Sequence, residues 1–539
     1  MEKNLKRILA VMTAALIALA CRLAYIQLVG EQKLSEATRA QSMIALKGSN
    51  TRGIIYDRNG APLVADSKKY IYIIKENSFD SYAQELLSEL GAAEINADNR
   101  GYRVYSSERY DKQYGRKLIE NNNVYILQAA ARYSDDQLAE HLIGYVNKQD
   151  DSGAAGLELM YDDQLSALNR RVYAVADVAG NILKGRGLVI DSDEKDDSYI
   201  KKGIRTTIDK ELQAAVEEII GDEDRECAAV VLDVKSGGVL AMASTPEFDQ
   251  NNVQEYMTDG NDELLNKATQ GEYPPGSVFK IITAAAALEQ GISPQKKFSC
   301  GGSVSLGDVV IGCETGGENG HGEIGLEDAF ALSCNSYFVQ LAELTGADNI
   351  VNTATEFGLG EKTLDGFPQE NAGHLMTEDE RSGIAVGNLS IGQGQTLTTP
   401  IQVAVMTNTI ASGGINRGAH LLMEEESEER QAVSKSTAQT VADMMEAVTL
   451  YGTAAELGMT DSAGNAKAAV KTGSAEYGTD DSTGSHGWIT GFTPCEDPEY
   501  TITVFVKNGG SGAQSAGPLF QKIVNYLEES GSYSRPTLA

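Results

Sequence analysis

Cysteine, histidine and tryptophan are scarce in this chain of 539 residues, which has six cysteines, five histidines and one tryptophan. Six cysteines are too few for a disulfide scaffold of this length, and the spacings of cysteine and histidine match no metal-ligand motif. We therefore expect neither a metal nor a cofactor. Cys300 and Cys313 flank a short Gly-rich segment, which is compatible with a disulfide or with two free thiols.

Basic residues are also in deficit, with 45 Lys and Arg against 77 Asp and Glu, for a formal net charge of -32. Such a surface repels phosphate backbones, so nucleic-acid binding is excluded. Hydrophobic residues make up 42% of the chain and charged residues 23%, which is ordinary for a folded protein. The length allows two or three domains.

The N-terminus has the composition of a membrane anchor. Residues 1–7 are basic, and residues 8–29 are mostly apolar, long enough for a helix of about 33 Å. The basic residues place 1–7 in the cytoplasm, so the rest of the chain lies outside the cell or in the periplasm. The sequence "ALA" before Cys21 also resembles a signal-peptidase or lipoprotein site, and that alternative exports the chain as well.

Two exported regions follow the anchor. Residues 30–200 are polar and rich in tyrosine, and they end in the acidic linker 191–203. Residues 201–539 open with an amphipathic helix and a strand hairpin at 228–244. A helical middle, further strands and a closing helix complete this region. The pattern predicts an α+β domain with an antiparallel sheet and a helical subdomain.

The segment "YPPGSVFKII" contains the first candidate catalytic pair, Ser277 and Lys280. Their spacing places both side chains on one face of a helix, and the turn before them delivers Ser277 to the helix N-terminus. A serine hydroxyl needs a base to become a nucleophile. A lysine in an apolar helix can be that base, because burial lowers its pKa.

The Ser-x-x-Lys pattern is weak by itself, because three other copies occur at Ser192–Lys195, Ser198–Lys201 and Ser293–Lys296. Two further motifs strengthen it. Ser333 and Asn335 form a Ser-x-Asn motif, and Lys471, Thr472 and Gly473 form a Lys-Thr-Gly motif that Ser474 follows. This order is that of serine β-lactamases and penicillin-binding proteins.

The chain resembles the class B penicillin-binding proteins over nearly its whole length. The similar segments are "RGIIYDRNG", "GLELMYDDQL", "YPPGSVFK", "HGEIGLEDAFALSCNSYF", "GQGQTLTTPIQVA", "KTGSAEYG" and "HGWITGFTP". The resemblance implies a transpeptidase domain of the penicillin-binding and serine β-lactamase fold at 201–539. It also implies a non-catalytic pedestal or dimerisation domain at 30–200, after a transmembrane helix at 8–29. Ser474 replaces the threonine of many relatives and retains the hydroxyl.

The resemblance also implies a role for each candidate residue. Ser277 attacks a D-Ala-D-Ala stem peptide, with Lys280 as the base. Ser333 relays a proton, and Asn335 orients Lys280 and the substrate. Substrate binding falls to Lys471, Thr472, Gly473 and Ser474, with no metal. The implied activity is cross-linking of peptidoglycan by an acyl-enzyme that β-lactams also form.

Three alternatives remain open. A D,D-carboxypeptidase uses the same acyl-enzyme with water as the acceptor. A β-lactamase needs a water-activating base, and no Glu-x-x-Leu-Asn pattern follows Ser333. A β-lactam sensor or a division scaffold is the binding-protein alternative.

The family also implies a polytopic glycosyltransferase as partner. The sequence does not distinguish elongation, division or sporulation, and it does not specify the acceptor amine.

Overall fold

The computed structural model describes fifteen stretches of the chain, which leave gaps between them. These are residues 2–28, 43–45, 52–65, 67–95, 101–134, 136–147, 152–166, 171–175, 188–191, 203–257, 262–307, 309–381, 383–425, 428–479 and 482–531.

The α-helices within these ranges are numbered in chain order. They are α1 (Glu2–Leu28), α2 (Ser81–Glu89), α3 (Lys112–Asn122), α4 (Glu140–Ile143), α5 (Gly156–Met160), α6 (Asp162–Ser166), α7 (Lys210–Gly221), α8 (Lys280–Glu289), α9 (Leu326–Ala331), α10 (Asn335–Thr345), α11 (Ala347–Glu356), α12 (Ile384–Ser390), α13 (Pro400–Ala411), α14 (Lys435–Leu450) and α15 (Ala516–Glu529).

The strands are numbered in the same way. They are β1 (Met43–Ala45), β2 (Ile55–Tyr56), β3 (Ser67–Lys75), β4 (Ala93–Ile95), β5 (Tyr102–Ser107), β6 (Tyr125–Ala131), β7 (Arg171–Val175), β8 (Leu188–Asp191), β9 (Ile204–Arg205), β10 (Cys227–Asp233), β11 (Val239–Ser244), β12 (Phe298–Cys300), β13 (Ser303–Leu306), β14 (Val309–Gly312), β15 (Gly322–Ile324), β16 (Ile415–Asn416), β17 (Arg430–Gln431), β18 (Ala469–Thr479), β19 (Ser482–Thr493) and β20 (Tyr500–Val506).

Helix α1 covers most of the predicted membrane anchor, residues 8–29. Its large apolar side chains are 58–69% exposed at Ile8, Leu9, Val11, Met12, Leu16, Ile17 and Leu19. Within the described ranges, no helix combines the length and the hydropathy that a bilayer span requires. The membrane span therefore stays a prediction.

Contacts between residues divide the chain into two compact units. The first comprises 1–53, 65–132 and 166–202, and the second comprises 54–64, 133–165 and 203–539. This division differs from a single boundary near residue 200. Strand β2 pairs in parallel with β9, so its pairing partner lies about 150 residues later in the chain.

The first unit contains a four-stranded antiparallel sheet in the order β4-β5-β3-β6. Helices α2 and α3 share a core with this sheet, formed by Tyr72, Ile74, Ala83, Leu86, Leu87, Leu90, Tyr105, Leu118 and Val124. A three-stranded sheet in the order β1-β7-β8 belongs to the same unit.

The second unit is built on a five-stranded antiparallel sheet in the order β11-β10-β20-β19-β18. Helices α7 and α15 contact each other and the sheet, and so do α13 and α14. Strands β10 and β11 are buried along nearly their full length, because helices cover the sheet. The predicted combination of an antiparallel sheet with helices is confirmed.

Helices α9 to α12 form the helical part of the second unit, and α10 and α11 pack against α8. Helix α8 is buried from Lys280 through Ala287, because α10, α11 and α14 surround it. Its alanines allow this close packing. The result is that the N-terminus of α8 lies between the helical part and strand β18, where the three predicted motifs meet.

Candidate active site

Ser277 lies on a 3₁₀ turn, Gly276–Phe279, that leads directly into α8. Gly276 adopts φ +56, and a Cβ at this position would lie 2.7 Å from the carbonyl oxygen of Ser474. Only glycine therefore allows the turn to pack this closely against β18. Trp488 Nε1 donates a hydrogen bond of 3.0 Å to the Pro274 carbonyl and holds the turn from the neighbouring strand β19.

Lys280 follows one turn later and is completely buried. Its Nζ donates to the Ser333 carbonyl at 2.8 Å, to Ser333 Oγ at 3.1 Å and to Asn335 Oδ1 at 2.7 Å. Burial lowers the pKa of Lys280 to about 7. A large share of the lysine is therefore a neutral amine near neutral pH, as a general base requires.

Ser333 and Asn335 lie at the junction between α9 and α10. Ser333 adopts φ +55, a left-handed conformation that is uncommon outside glycine. This backbone directs both its carbonyl and its hydroxyl to Lys280 Nζ. Asn335 is the first residue of α10, and its Nδ2 donates to the Gly312 carbonyl at 3.0 Å. The Asn335 amide is therefore fixed at both ends.

Lys471 extends the network from β18. Its Nζ donates to Ser333 Oγ at 3.1 Å and to the Thr472 carbonyl at 2.9 Å. Burial, followed by the charge of Lys280, holds the pKa of Lys471 well below its usual range. One serine hydroxyl thus connects two buried lysines from two different motifs.

The rest of the Lys-Thr-Gly motif continues along β18. Thr472 Oγ1 lies 2.6 Å from Thr453 Oγ1, and Ser474 is exposed, with its Oγ accepting from the Gly512 N–H at 3.4 Å. A Cβ on Gly473 would meet Val278 at 3.1 Å and the Pro275 carbonyl at 3.2 Å. Gly473 therefore allows the strand to approach the turn of Ser277.

Sequence reasoning missed Thr453, Trp488 and Gly512, which hold the predicted residues in place. Thr453 precedes Thr472 by 19 positions and Trp488 follows Pro274 by 214. No spacing rule connects residues that are this far apart. The register of the sheet could have suggested Trp488, because Trp488 on β19 lies opposite Gly473 on β18.

Beside this network, the structure groups Cys300, Cys313, His321 and Cys334, whose ligand atoms all lie within 4.8 Å of one another. The spacings along the chain did not predict this group. Spacing hid the cluster because its members come from four separate segments. Cys300 and Cys313 are free thiols, so the open choice between a disulfide and two thiols is decided for thiols.

The family model of the penicillin binding protein transpeptidase domain matches residues 227–525, a range that contains every predicted site residue. Peptidoglycan D,D-transpeptidase PbpA of Mycolicibacterium smegmatis is 31% identical over 471 residues, 81% of this chain and 92% of that protein. The chain belongs to the class B penicillin-binding proteins. Another relative of the family, peptidoglycan D,D-transpeptidase MrdA of Haemophilus influenzae, is 27% identical over 88% of this chain and 84% of its own.

Solved structures of the family share the fold. The penicillin-binding protein PBP2 of Helicobacter pylori, solved in a complex with MreC, superposes with a TM-score of 0.70 at 23% identity. The match covers 91% of this chain and 99% of that one. Penicillin binding protein 3 of Mycobacterium tuberculosis, solved with aztreonam, superposes with a TM-score of 0.64 at 24% identity. That match covers 90% of this chain and 97% of the other protein. The transpeptidase fold predicted from the motifs is therefore confirmed.

Proposed function

We propose that this chain is a peptidoglycan D,D-transpeptidase that cross-links stem peptides through an acyl-enzyme on Ser277. The observation that carries the proposal is the buried Lys280, which leads directly from the turn of Ser277 and has a pKa of about 7. Membership of the class B penicillin-binding proteins supports the same function.

In the acylation step, neutral Lys280 accepts the proton of the Ser277 hydroxyl as Oγ attacks the carbonyl carbon of the penultimate D-Ala. A neutral amine has two N–H groups, which are sufficient for the Ser333 carbonyl and Asn335 Oδ1. Its lone pair then accepts the proton. The C–N bond to the terminal D-Ala breaks as Ser333 Oγ delivers its proton to the leaving amine. Lys280 Nζ replaces that proton on Ser333 Oγ, 3.1 Å away, and returns to its neutral form.

Strand β18 binds the substrate in this proposal. The exposed Ser474 hydroxyl and the Thr472 hydroxyl hold the terminal carboxylate, and the charge of Lys471 favours the anion when that lysine is protonated. The backbone N–H groups of Ser277 and Ser474 form the oxyanion hole, since Gly276 brings the turn against the strand at that point. No cofactor enters this mechanism.

In the second half of the reaction, an amine from a neighbouring stem peptide attacks the ester carbonyl, and Lys280 accepts the amine proton. The ester C–O bond then breaks, and Lys280 returns the proton to Ser277 Oγ, which restores the free enzyme. Attack by water instead would make the chain a D,D-carboxypeptidase. We prefer the amine because relatives that match most of the chain are named transpeptidases.

The location of the enzyme is part of the proposal. Helix α1 anchors the chain in the membrane with residues 1–7 in the cytoplasm, and its exposed apolar side chains support this role. Those parts of 30–200 that belong to the first compact unit contribute a non-catalytic pedestal. The partner is a polytopic glycosyltransferase that polymerises glycan. The complex of Helicobacter pylori PBP2 with MreC supports the expectation of a protein partner.

Covalent labelling by a fluorescent penicillin tests the nucleophile. We expect stoichiometric labelling of the purified chain and no labelling of Ser277→Ala, because the acyl-enzyme ester requires that hydroxyl. Ser293→Ala is the matched control, since Ser293 belongs to another Ser-x-x-Lys copy and is exposed. Full labelling of Ser277→Ala would contradict the assignment.

Depletion in cells distinguishes the transpeptidase from the carboxypeptidase. We expect the cross-linked muropeptide fraction to fall when the protein is depleted. An increase in pentapeptide stems with constant cross-linking would instead identify a carboxypeptidase.

A further inference from the structure

The cluster of Cys300, Cys313, His321 and Cys334 lies outside the proposed reaction, although it adjoins the site. Cys300 ends β12, Cys313 follows β14 and His321 precedes β15. Cys334 caps the N-terminus of α10. The three cysteines are 0–2% exposed, and His321 is partly buried. Three buried thiols and one imidazole therefore point to a common centre.

Two of the six separations between the ligand atoms match the edges of a tetrahedral metal site, and all six are within 4.8 Å. The distance between Cys313 Sγ and Cys334 Sγ is 3.6 Å, and the distance between Cys313 Sγ and His321 Nδ1 is also 3.6 Å. Tetrahedral zinc, with Zn–S of about 2.3 Å and Zn–N of about 2.0–2.1 Å, gives edges of about 3.8 Å for S–S and about 3.6 Å for S–N. A disulfide needs sulfurs at about 2.0 Å.

We propose that Cys300, Cys313, His321 and Cys334 bind one zinc ion in a structural Cys₃His site. Three thiolates and one imidazole form a ligand set that selects zinc, and four protein ligands leave no open position for a reaction. Zinc would also keep the three thiols reduced in the oxidising compartment that the proposed topology implies.

The loops around the cluster are folded tightly, as a metal site requires. A Cβ on Gly320, which adopts φ +66, would lie 2.1 Å from the Cys300 carbonyl oxygen. The Cys313 N–H donates to the Gly302 carbonyl at 2.8 Å. The Tyr337 N–H donates to Cys334 Sγ at 3.4 Å, an interaction that favours a thiolate. These contacts hold the sulfurs at their positions and satisfy part of their charge.

The proposed site is connected to the catalytic network at two points. Cys334 lies between Ser333 and Asn335, which both contact Lys280 Nζ. Cys313 follows Gly312, whose carbonyl accepts from Asn335 Nδ2. Zinc would therefore hold both sides of the Asn335 amide and stabilise the left-handed Ser333. This positioning role, unlike metal binding itself, rests on the proposed function.

Metal content of the full-length chain, purified in detergent without chelator, tests the site directly. We expect about one zinc per chain by elemental analysis. His321→Ala and Cys313→Ser lose the metal, whereas His321→Cys retains it as a Cys₄ site. Cys495→Ser is the matched control and keeps its zinc, because Cys495 lies outside the cluster. Loading with Co²⁺ should produce thiolate charge-transfer bands in the wild type and not in Cys313→Ser.

Two results would overturn the proposal. One is a wild-type chain that contains fewer than about 0.2 zinc ions per chain and shows no thiolate charge-transfer bands after loading with Co²⁺. The other is equal zinc in the wild type and in both ligand-removing variants, which would place the metal elsewhere. Because the wild type is measured first, misfolding of a variant does not decide the outcome.

The positioning role has its own readout. We expect removal of zinc by a chelator to slow penicillin acylation about 100-fold, as for a misplacement of about 1 Å, and Zn²⁺ to restore the rate. The His321→Cys variant, which retains zinc, should be acylated by penicillin at the wild-type rate. If the imidazole only filled space, this replacement would slow acylation. An unchanged rate after zinc loss would overturn the positioning role. Failure of the proposed function would abolish labelling and leave the zinc content unchanged.

Discussion

At the scale of single residues, the site depends on a lysine kept away from water. Within the part of the chain that the structure describes, the hydrogen-bond partners of Lys280 Nζ are carbonyl, hydroxyl and amide oxygens, with no carboxylate to form an ion pair with the charged lysine. Burial then lowers its pKa to about 7. Burial disfavours the charged ammonium, and the neutral amine that it favours can act as a base.

The acylation rate should follow the neutral form of this lysine. Because the pKa of Lys280 is lowered, we expect the second-order rate of penicillin acylation to rise with pH up to about 7 and to level off above it. Asn335→Asp places a carboxylate at 2.7 Å from Nζ and favours the charged lysine. The midpoint should then rise by about 1–3 pH units. Stopped-flow acylation at a series of pH values measures both profiles.

Asn335→Ala is the control for this experiment, since it removes the hydrogen bond without adding a charge. It should lower the rate and produce no upward shift of the midpoint. A midpoint for Asn335→Asp at or below that of the wild type would contradict the assignment of the midpoint to Lys280.

At the scale of elements, the turn before α8 decides where Ser277 lies. The turn fits against β18 because Gly276 and Gly473 lack side chains that would separate the two segments. Trp488 from β19 adds a hydrogen bond to the same turn. The nucleophile is thus placed by a contact between a helix start and a sheet edge, and not by the helix alone.

Gly276→Ala should therefore disturb catalysis more than stability. Its Cβ would lie 2.7 Å from the Ser474 carbonyl oxygen, so the turn must move away from β18. We expect penicillin acylation to fall about 100-fold, as for a misplacement of about 1 Å. Stopped-flow acylation and thermal unfolding of the purified variant test this expectation.

Gly291→Ala is the matched control at the other end of α8. Gly291 has φ +76, and a Cβ added there would have no atom within 4 Å. Gly291→Ala therefore introduces the same kind of backbone strain as Gly276→Ala without a steric clash. It should cost about 1 kcal/mol of stability and leave acylation unchanged. Equal acylation by both variants would show that the contact between the turn and β18 does not position Ser277.

At the scale of the whole molecule, the second unit is assembled from three separate stretches of the chain. Its core includes side chains that precede residue 203 by many positions, namely Ile55, Leu63, Val64, Tyr133, Leu142, Ile143, Leu157 and Leu165. Strand β2 pairs with β9, and Thr206 Oγ1 donates to the Tyr56 carbonyl at 2.8 Å. The unit that holds the catalytic motifs is therefore larger than the region after the acidic linker.

A fragment of residues 203–539 should be less stable than a fragment of residues 54–539. The shorter fragment loses the eight apolar side chains named above, and burial of each such side chain contributes about 1.5–3 kcal/mol. We expect its unfolding temperature to fall by more than about 10 °C, with aggregation at 37 °C. Thermal unfolding with parallel penicillin labelling compares the two. Equal unfolding temperatures would show that the two early stretches are dispensable.

Much of the site could be predicted from the sequence because its motifs are local. The spacing of Ser277 and Lys280, the pair Ser333 and Asn335, and the order of the motifs are all visible within short windows. The alternation of strand and helix patterns indicated the α+β class for the same reason. The Lys-Thr-Gly motif was also visible, although its hydrogen bond to Ser333 was not.

The sequence by itself determined the chemistry of the site, since the residue types and their local spacing specify a nucleophile, a base and a substrate-binding strand. Only the tertiary structure decided that two lysines share the Ser333 hydroxyl, that Thr453 supports Thr472 and that three cysteines and a histidine converge beside Asn335. It also decided that 54–64 and 133–165 group with the catalytic motifs. These contacts join residues from 8 to more than 100 positions apart, and burial and strand pairing bring them together where no local pattern records them.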